Sequence, residues 1–324
     1  MTPELRSDQR AASPSATMTA ARVHAFGGPD VIRHERVPRP DPGPGEVLVA
    51  VAAAGFNPSD VGFRAGMMRD VVPLDLPFTL GSEAAGTVVR AGDGVERFAI
   101  GDRVVGRLDE GGAAAGYLTA SAARLVRAPS RLPLAHAAAI PVAGLTAWQG
   151  LFDHSRIEPG MRILVNGAGG GVGMFAVQLA RRAGARVIAT AGPRSADRVR
   201  GYGAEQIIDY TRVSPHQALD RPVDLVLNLV PLPPEAAEAL SRVVRPGGSI
   251  VSITGPVKPP AGSGVAATHF VARNDPAQLT ELIALIDDGG VRVDVAATRP
   301  LAELPAVHRD AEAGRTHGKT ILVP

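Results

Sequence analysis

The stretch VNGAGGGVGMFAVQLA, residues 165–180, places five glycines in the seven positions from Gly167 to Gly173, and an apolar run of helical character follows at once. Glycine at that density is needed where a chain turns tightly and another group comes too close to the backbone for side chains. RILVN ahead of it reads as a buried strand and GMFAVQLARRAG behind it as a helix, so the glycines form a strand-to-helix turn. Ala168, Gly170 and Gly173 have the spacing of the dinucleotide fingerprint, with alanine at its first position. Such a turn offers free N–H groups and the positive end of a helix to a pyrophosphate. A purely structural glycine turn is the alternative for the glycines alone, but both flanks suit the dinucleotide site.

The end of the next strand bears on which dinucleotide is held. NAD sites place an acid about twenty residues on, where it binds the ribose 2′-OH. Here ARVIAT runs into Ala191 and Gly192, and Arg194, Ser195 and Arg198 follow. Guanidinium groups bind a 2′-phosphate through charge-assisted, often bidentate hydrogen bonds, so NADP(H) is the expected cofactor. The same arginines also suit a solvated helix start, and Asp197 is a late alternative for a ribose contact.

The 324 residues exceed what one core usually serves, which implies two domains. From about Ala143 to Val271 the strands RILVN, ARVIAT, EQIID, VDLVLNLV and GSIVSI alternate with helical stretches such as PPEAAEALSRVV. Strands apolar on both faces imply a parallel sheet with right-handed crossovers, a doubly wound domain over 143–271. Residues 19–142 read as an irregular, mostly antiparallel β domain, with strands at 22–26, 46–54, 86–90, 103–105 and 117–126 broken by punctuation such as PRPDPGPGE. Residues 272–324 are expected to supply two helices and two strands that return to complete that domain. Residues 1–18 read as a disordered tail, with Met18 as an alternative start.

Composition removes several function classes. The chain has no cysteine, which excludes disulfides, thiolate catalysis and cysteine-ligated zinc; no i, i+4 histidine pair with carboxylates suggests another metal. A net charge of +2 and 4% aromatic residues argue against nucleic-acid binding. No run of about 18 apolar residues predicts a membrane span, and the polar first residues lack the apolar core of a signal peptide. The cytoplasm is the default location.

Further motifs occur in a fixed order from Val23 to Leu322: GFNPSDVGFRAG (55–66), PFTLGSEAAGTVV (77–89), GVERFAIGDRV (94–104), AAIPVAGLTAWQGL (138–151), VNGAGGGVG (165–173), IIDY (207–210), RPGGSIVSI (245–253) and HGKTIL (317–322). With them the chain resembles the zinc-independent quinone oxidoreductases, the zeta-crystallin-like family of the medium-chain dehydrogenase/reductase superfamily. The resemblance implies an α/β protein with a GroES-like β-rich catalytic domain plus a Rossmann doubly wound parallel sheet, a cofactor between them, and commonly a homodimer. Zinc-dependent relatives carry a cysteine just after the equivalent of Gly55 and a His-Glu pair near Gly81-Ser82-Glu83. This chain has Asn57 and Ser82 there, which implies a metal-free site.

By the same resemblance, Asn57 and Asp60 line the nicotinamide and substrate cleft, and Thr146 lies near the nicotinamide. Ala168, Gly169, Gly170, Gly171, Val172 and Gly173 hold the pyrophosphate. Gly192, Arg194 and Ser195 flank the 2′-phosphate, with Tyr210 beside it. Asn228, Ile253, Thr254 and Gly255 end later strands where the cofactor crosses the sheet, and Phe270 and Val271 correspond to a loop over the nicotinamide. Asn57 to Asp60 could equally form an Asx turn that caps a helix, and Tyr210 could be a surface residue at a strand end.

Relatives often read R-x-G-x-Y where this chain has Arg64-Ala65-Gly66-Met67-Met68. The tyrosine proposed as proton donor in related enoyl reductases is thus replaced by Met68. The remaining candidates are Asp60, Arg64 as an electrostatic clamp, or water. A quinone's reduced oxygens take protons from solvent, whereas protonation at carbon gains from a placed acid. The expectation is an NADPH-dependent, metal-free reductase of quinones or other α,β-unsaturated carbonyl compounds. An enoyl reductase acting on a polyketide-type intermediate and a non-catalytic, redox-sensing NADPH-binding protein are the alternatives.

Overall fold

The computed structural model describes residues 16–69 and 75–324. Among these residues, six parallel strands form one sheet in the spatial order Gln206–Ile208, Arg186–Thr190, Arg162–Asn166, Val223–Asn228, Val244–Ser252 and Ala266–His269. In chain order this is 3-2-1-4-5-6, the dinucleotide-binding arrangement, whose crevice opens where the order reverses between the first and fourth strands. Ile163, Leu164, Val165, Val187, Ala189, Val226, Leu227, Ile250 and Val251 are buried in it, so the apolar runs are explained by helices covering both faces. The helix Gly171–Arg182 packs Phe175, Val177 and Leu179 into that core and ends on Arg181 and Arg182, cations that complement its negative end.

The second large sheet has seven strands. Its centre is Glu46–Phe56, paired antiparallel with Glu83–Ala91, Tyr117–Ser121 and Lys319–Val323. The last of these brings the chain's C-terminal strand back beside its N-terminal half, with Val295–Pro300 parallel to it on the outside. The helix Pro276–Asp287 instead buries Leu279, Leu282, Ile283 and Ile286 in the core shared with the Rossmann strands.

Two local expectations change. The first strand is Thr17–Val23, paired with Ile32–Pro38, so Thr17 and Met18 belong to a sheet and not to a tail. Their partners, Pro38 and Val37, lie some twenty residues on and leave no local trace. The rest of the expected tail, residues 1–15, lies outside the described residues. The single expected strand at 117–126 is Tyr117–Ser121, a 3-10 turn at Ala122–Arg124 and then Val126–Arg127. The sixth Rossmann strand, Ala266–His269, escaped sequence reading because all four of its residues are exposed.

Candidate active site

The glycine turn sits at the carboxyl end of Arg162–Asn166, where Gly170 caps the helix Gly171–Arg182. Gly167 has φ +94°, a conformation only glycine adopts freely, and a side chain there would meet Val230 at 2.5 Å. A side chain at Gly169 would strike Ser195 Oγ at 2.5 Å, while one at Gly171 would strike Lys319 Cδ at 2.7 Å. A methyl at Gly170 has its nearest neighbour, Gly167 O, at 3.7 Å, so the backbone at the helix cap is open to close approach. That cradle fits the pyrophosphate of a dinucleotide.

A one-directional belt of hydrogen bonds ties the turn to the crevice. Gly167 N donates to Thr190 Oγ1 (2.7 Å), Thr190 Oγ1 to Asn166 Oδ1 (2.9 Å), and Asn166 Nδ2 to Asn228 Oδ1 (2.8 Å). Asn228 Nδ2 then donates to Val230 O (2.9 Å) and Ser252 Oγ (3.1 Å), with Thr254 Oγ1 at 3.3 Å. Four strand ends are thereby held in register. Sequence reading found Asn228 and Thr254 but missed Asn166 and Thr190, whose only signal is polarity at the end of an apolar strand.

Beside the turn, a buried polar cluster comes from the other sheet. Lys319 Nζ donates to Phe56 O (3.1 Å), to Asn57 Oδ1 (2.9 Å) and to Glu83 Oε1. Three acceptors meet three ammonium protons, which a planar guanidinium could not match. Glu83 also accepts from Asn57 Nδ2 (2.8 Å) and from Val142 N (2.7 Å), the latter in the first turn of the helix Pro141–Trp148, where negative charge is favoured. Glycine at 55 makes room, since a side chain there would collide with Glu83 and the Ala138 carbonyl. Gly318 N donates to Gly169 O at 3.1 Å. This cluster and the glycine turn therefore share one wall. Neither Glu83 nor Lys319 was singled out from sequence, although both lie in recognised motifs and Lys319 is one of only two lysines.

Asn57 caps the helix Pro58–Ala65 in a capping box with Asp60, the local role that the Asx-turn reading expects. Asn57 N donates to Asp60 Oδ2 (2.9 Å) and Ser82 Oγ to Asp60 Oδ1 (3.2 Å). Burial pushes the Asp60 carboxyl up to about 7, against the Asn57 N–H; Glu83 adds to the rise and Lys319 opposes it. A carboxyl that is partly protonated at neutral pH, with a half-buried serine as its outer contact, is a group suited to moving a proton.

The remaining candidates separate. Arg64 is buried and turned to Glu312 on the helix Leu304–Glu312, away from the Asn57–Lys319 cluster. Met68 is half-buried in the turn that follows the helix Pro58–Ala65 and lies over Gly62 of that helix. Thr146 is buried and donates to Val142 O (2.7 Å), one turn from the Glu83 contact. Val172 and Ile253 pack against the Rossmann core. Gly192 and Gly255 are half-buried, and a methyl at Gly192 would sit 3.4 Å from the Tyr210 hydroxyl. Ser195 Oγ reaches Gly192 O at 3.3 Å, while Arg194 is exposed and pairs with no acid among the described residues. Asp197 is exposed and bound to Arg200 at 2.6 Å. Phe270 is buried against His154, with ring centroids 4.3 Å apart, whereas Val271 is exposed.

A 3-2-1-4-5-6 sheet bearing a glycine turn, joined to a β-rich domain whose buried polar cluster reaches that turn, defines a two-domain dinucleotide oxidoreductase of the medium-chain dehydrogenase/reductase class. Residues 43–130 match the alcohol dehydrogenase GroES-like domain family and residues 202–322 the zinc-binding dehydrogenase family. The quinone oxidoreductase of Pseudomonas aeruginosa is 32% identical over 93% of this chain and 98% of its own. The chloroplastic quinone-oxidoreductase homolog of Spinacia oleracea is 41% identical over 60% of this chain, and the match spans 63% of that relative's length. Among solved structures, the Escherichia coli quinone oxidoreductase complexed with NADPH superimposes with a TM-score of 0.85 at 29% identity, covering 94% of this chain and 100% of that one. The chain belongs to the quinone oxidoreductase family of this superfamily, and the family brings with it a nicotinamide cofactor.

Proposed function

We propose that the chain is an NADPH-dependent reductase of quinones or other α,β-unsaturated carbonyl compounds that works without a metal, in the cytoplasm, as a homodimer. The observation that carries this reading is the shared wall between the glycine turn and the Asn57–Glu83–Lys319 cluster, by which a dinucleotide held at the turn would lie beside that cluster. Bound NADPH supplies hydride. The chain's residues supply the rest: glycine N–H groups hold the pyrophosphate, Glu83 and Lys319 keep Asn57 oriented, and Asp60 holds a proton with Ser82 as its outer neighbour. No helix among the described residues is long and apolar enough to cross a membrane. The outer strand Ala266–His269 presents an open, exposed edge that suits pairing with a second copy.

The test is turnover of NADPH with a panel of quinones, enones and enoyl thioesters after dialysis against a strong chelator. Quinones are expected to be reduced fastest. Faster reduction of a thioester would favour the enoyl reductase, tight binding without turnover the sensor, and activity restored only by zinc would remove the metal-free reading.

The exposed Arg194 and the absence of an acid at Ala191 and Gly192 support NADPH over NADH. A hydrogen bond to a charged group contributes about 1.5–3 kcal/mol, or roughly tenfold to a hundredfold in affinity. Arg194→Ala is therefore expected to weaken NADPH by about that factor and to leave NADH nearly unchanged. Equal losses for both would assign the arginine another task.

A further inference from the structure

We infer that binding of the dinucleotide at the glycine turn draws a proton from solvent onto the fraction of Asp60 that is still ionised, so that the site is loaded with its proton before substrate arrives. This rests on the cofactor reading above. Asp60 is buried and receives two neutral donors, Asn57 N and Ser82 Oγ, with no cation in contact. The charged groups that face it are Glu83, from the strand Glu83–Ala91, and Lys319, from the strand Lys319–Val323. They act in opposite directions: the carboxylate favours a protonated Asp60 and the ammonium an ionised one. Arg64, on the same helix, pairs with Glu312 on the helix Leu304–Glu312.

Of the two, Lys319 is the one whose surroundings change when a dinucleotide binds. Its aliphatic stem lies against Gly171, the first residue of the helix whose N-terminus is the anion site, and its neighbour Gly318 is bonded to Gly169. A pyrophosphate there brings two negative charges beside the lysine and offsets its influence, while the Glu83 carboxylate remains. The potential at Asp60 becomes more negative, which favours the protonated carboxyl. Burial already holds this group near neutrality, at about 7, so even a modest further rise moves it across the working range. The balance is simple. One solvent proton and one carboxylate become one carboxylic acid, with no other bond made or broken.

Calorimetric titration with NADPH in two buffers of different ionisation enthalpy measures the proton count directly. For a rise of about one pKa unit, uptake is about half a proton per site at a pH midway between the two values. NADH, which lacks the 2′-phosphate and its own titration near about pH 6, should give the same uptake, and Asp60→Asn should abolish it. An infrared difference spectrum of the wild-type protein should show a protonated-carboxyl band growing as NADPH is added, which does not depend on the variant folding. Binding with no proton exchange, uptake that survives Asp60→Asn, or uptake confined to NADPH would each overturn the inference while leaving the cofactor reading intact. If neither dinucleotide binds, both readings fall.

Discussion

Lys319→Met should lower stability by about 3–5 kcal/mol, the cost of stripping one partner from a buried ion pair. Methionine keeps the stem against Gly171 but removes the charge, leaving the Glu83 carboxylate buried with only Asn57 Nδ2 and Val142 N as donors. The effect is expected in the midpoint of urea unfolding, followed at the first transition since two domains need not unfold together. Glu83→Gln combined with Lys319→Met should recover most of the loss, because a buried pair replaced at both ends costs far less than one broken at a single end. A single substitution that loses less than about 1 kcal/mol, the range of an exposed pair, would show that the cluster is not desolvated.

The pH dependence of stability sets two buried groups against each other. His308 is fully buried, edge-on to Phe56 at 5.2 Å, with neither ring nitrogen partnered among the described residues. Burial and, secondarily, the neighbouring Arg64 push it down to about 4. The unfolded chain protonates this histidine near about 6.5, so between those values it holds the extra proton, and stability falls as the pH drops. Asp60 runs the other way. Its folded value of about 7 lies above the unfolded 3.8, so the folded chain holds the extra proton and stability falls as the pH rises through the same window. Each contributes up to about 1.4 kcal/mol per pH unit, and between about pH 4 and 6.5 they nearly cancel.

The contributions of these two groups to the wild-type unfolding midpoint should therefore nearly cancel across that range. His308→Phe, which keeps an edge-on ring against Phe56, should expose the Asp60 slope, with stability falling towards neutral pH by about 3 kcal/mol in all. Asp60→Asn should expose the opposite slope. Parallel profiles for wild type and both variants would mean that neither group titrates in this window.

Much of the architecture is local and was legible without coordinates. A glycine run between an apolar strand and an amphipathic helix admits few backbones, so the Arg162–Asn166 strand, the turn and the Gly171–Arg182 helix lie where the periodicity puts them. Strands buried on both faces carry the same message for Arg186–Thr190 and Val223–Asn228. The Asn57 cap of Pro58–Ala65 is likewise written within four residues. Ala266–His269 marks the limit: an exposed edge strand has no alternation to read.

The polar chemistry was decided elsewhere. Lys319 and Glu83 are 236 residues apart, and nothing near either announces the other; the pair exists because the C-terminal strand returns beside Glu46–Phe56. Arg64 shows the same dependence. Its helix was foreseeable, but whether the guanidinium faces the cleft or Glu312 depends on a helix nearly two hundred and fifty positions away, and it faces Glu312. Sequence determines which residues are apolar, which turns are tight and which helices are capped, because these are properties of a few neighbouring dihedrals and side chains. Which charges are buried together, and so which carboxyl holds a proton at neutral pH, is settled by long-range packing, because desolvation and the nearest counter-charge exist only once distant strands have met.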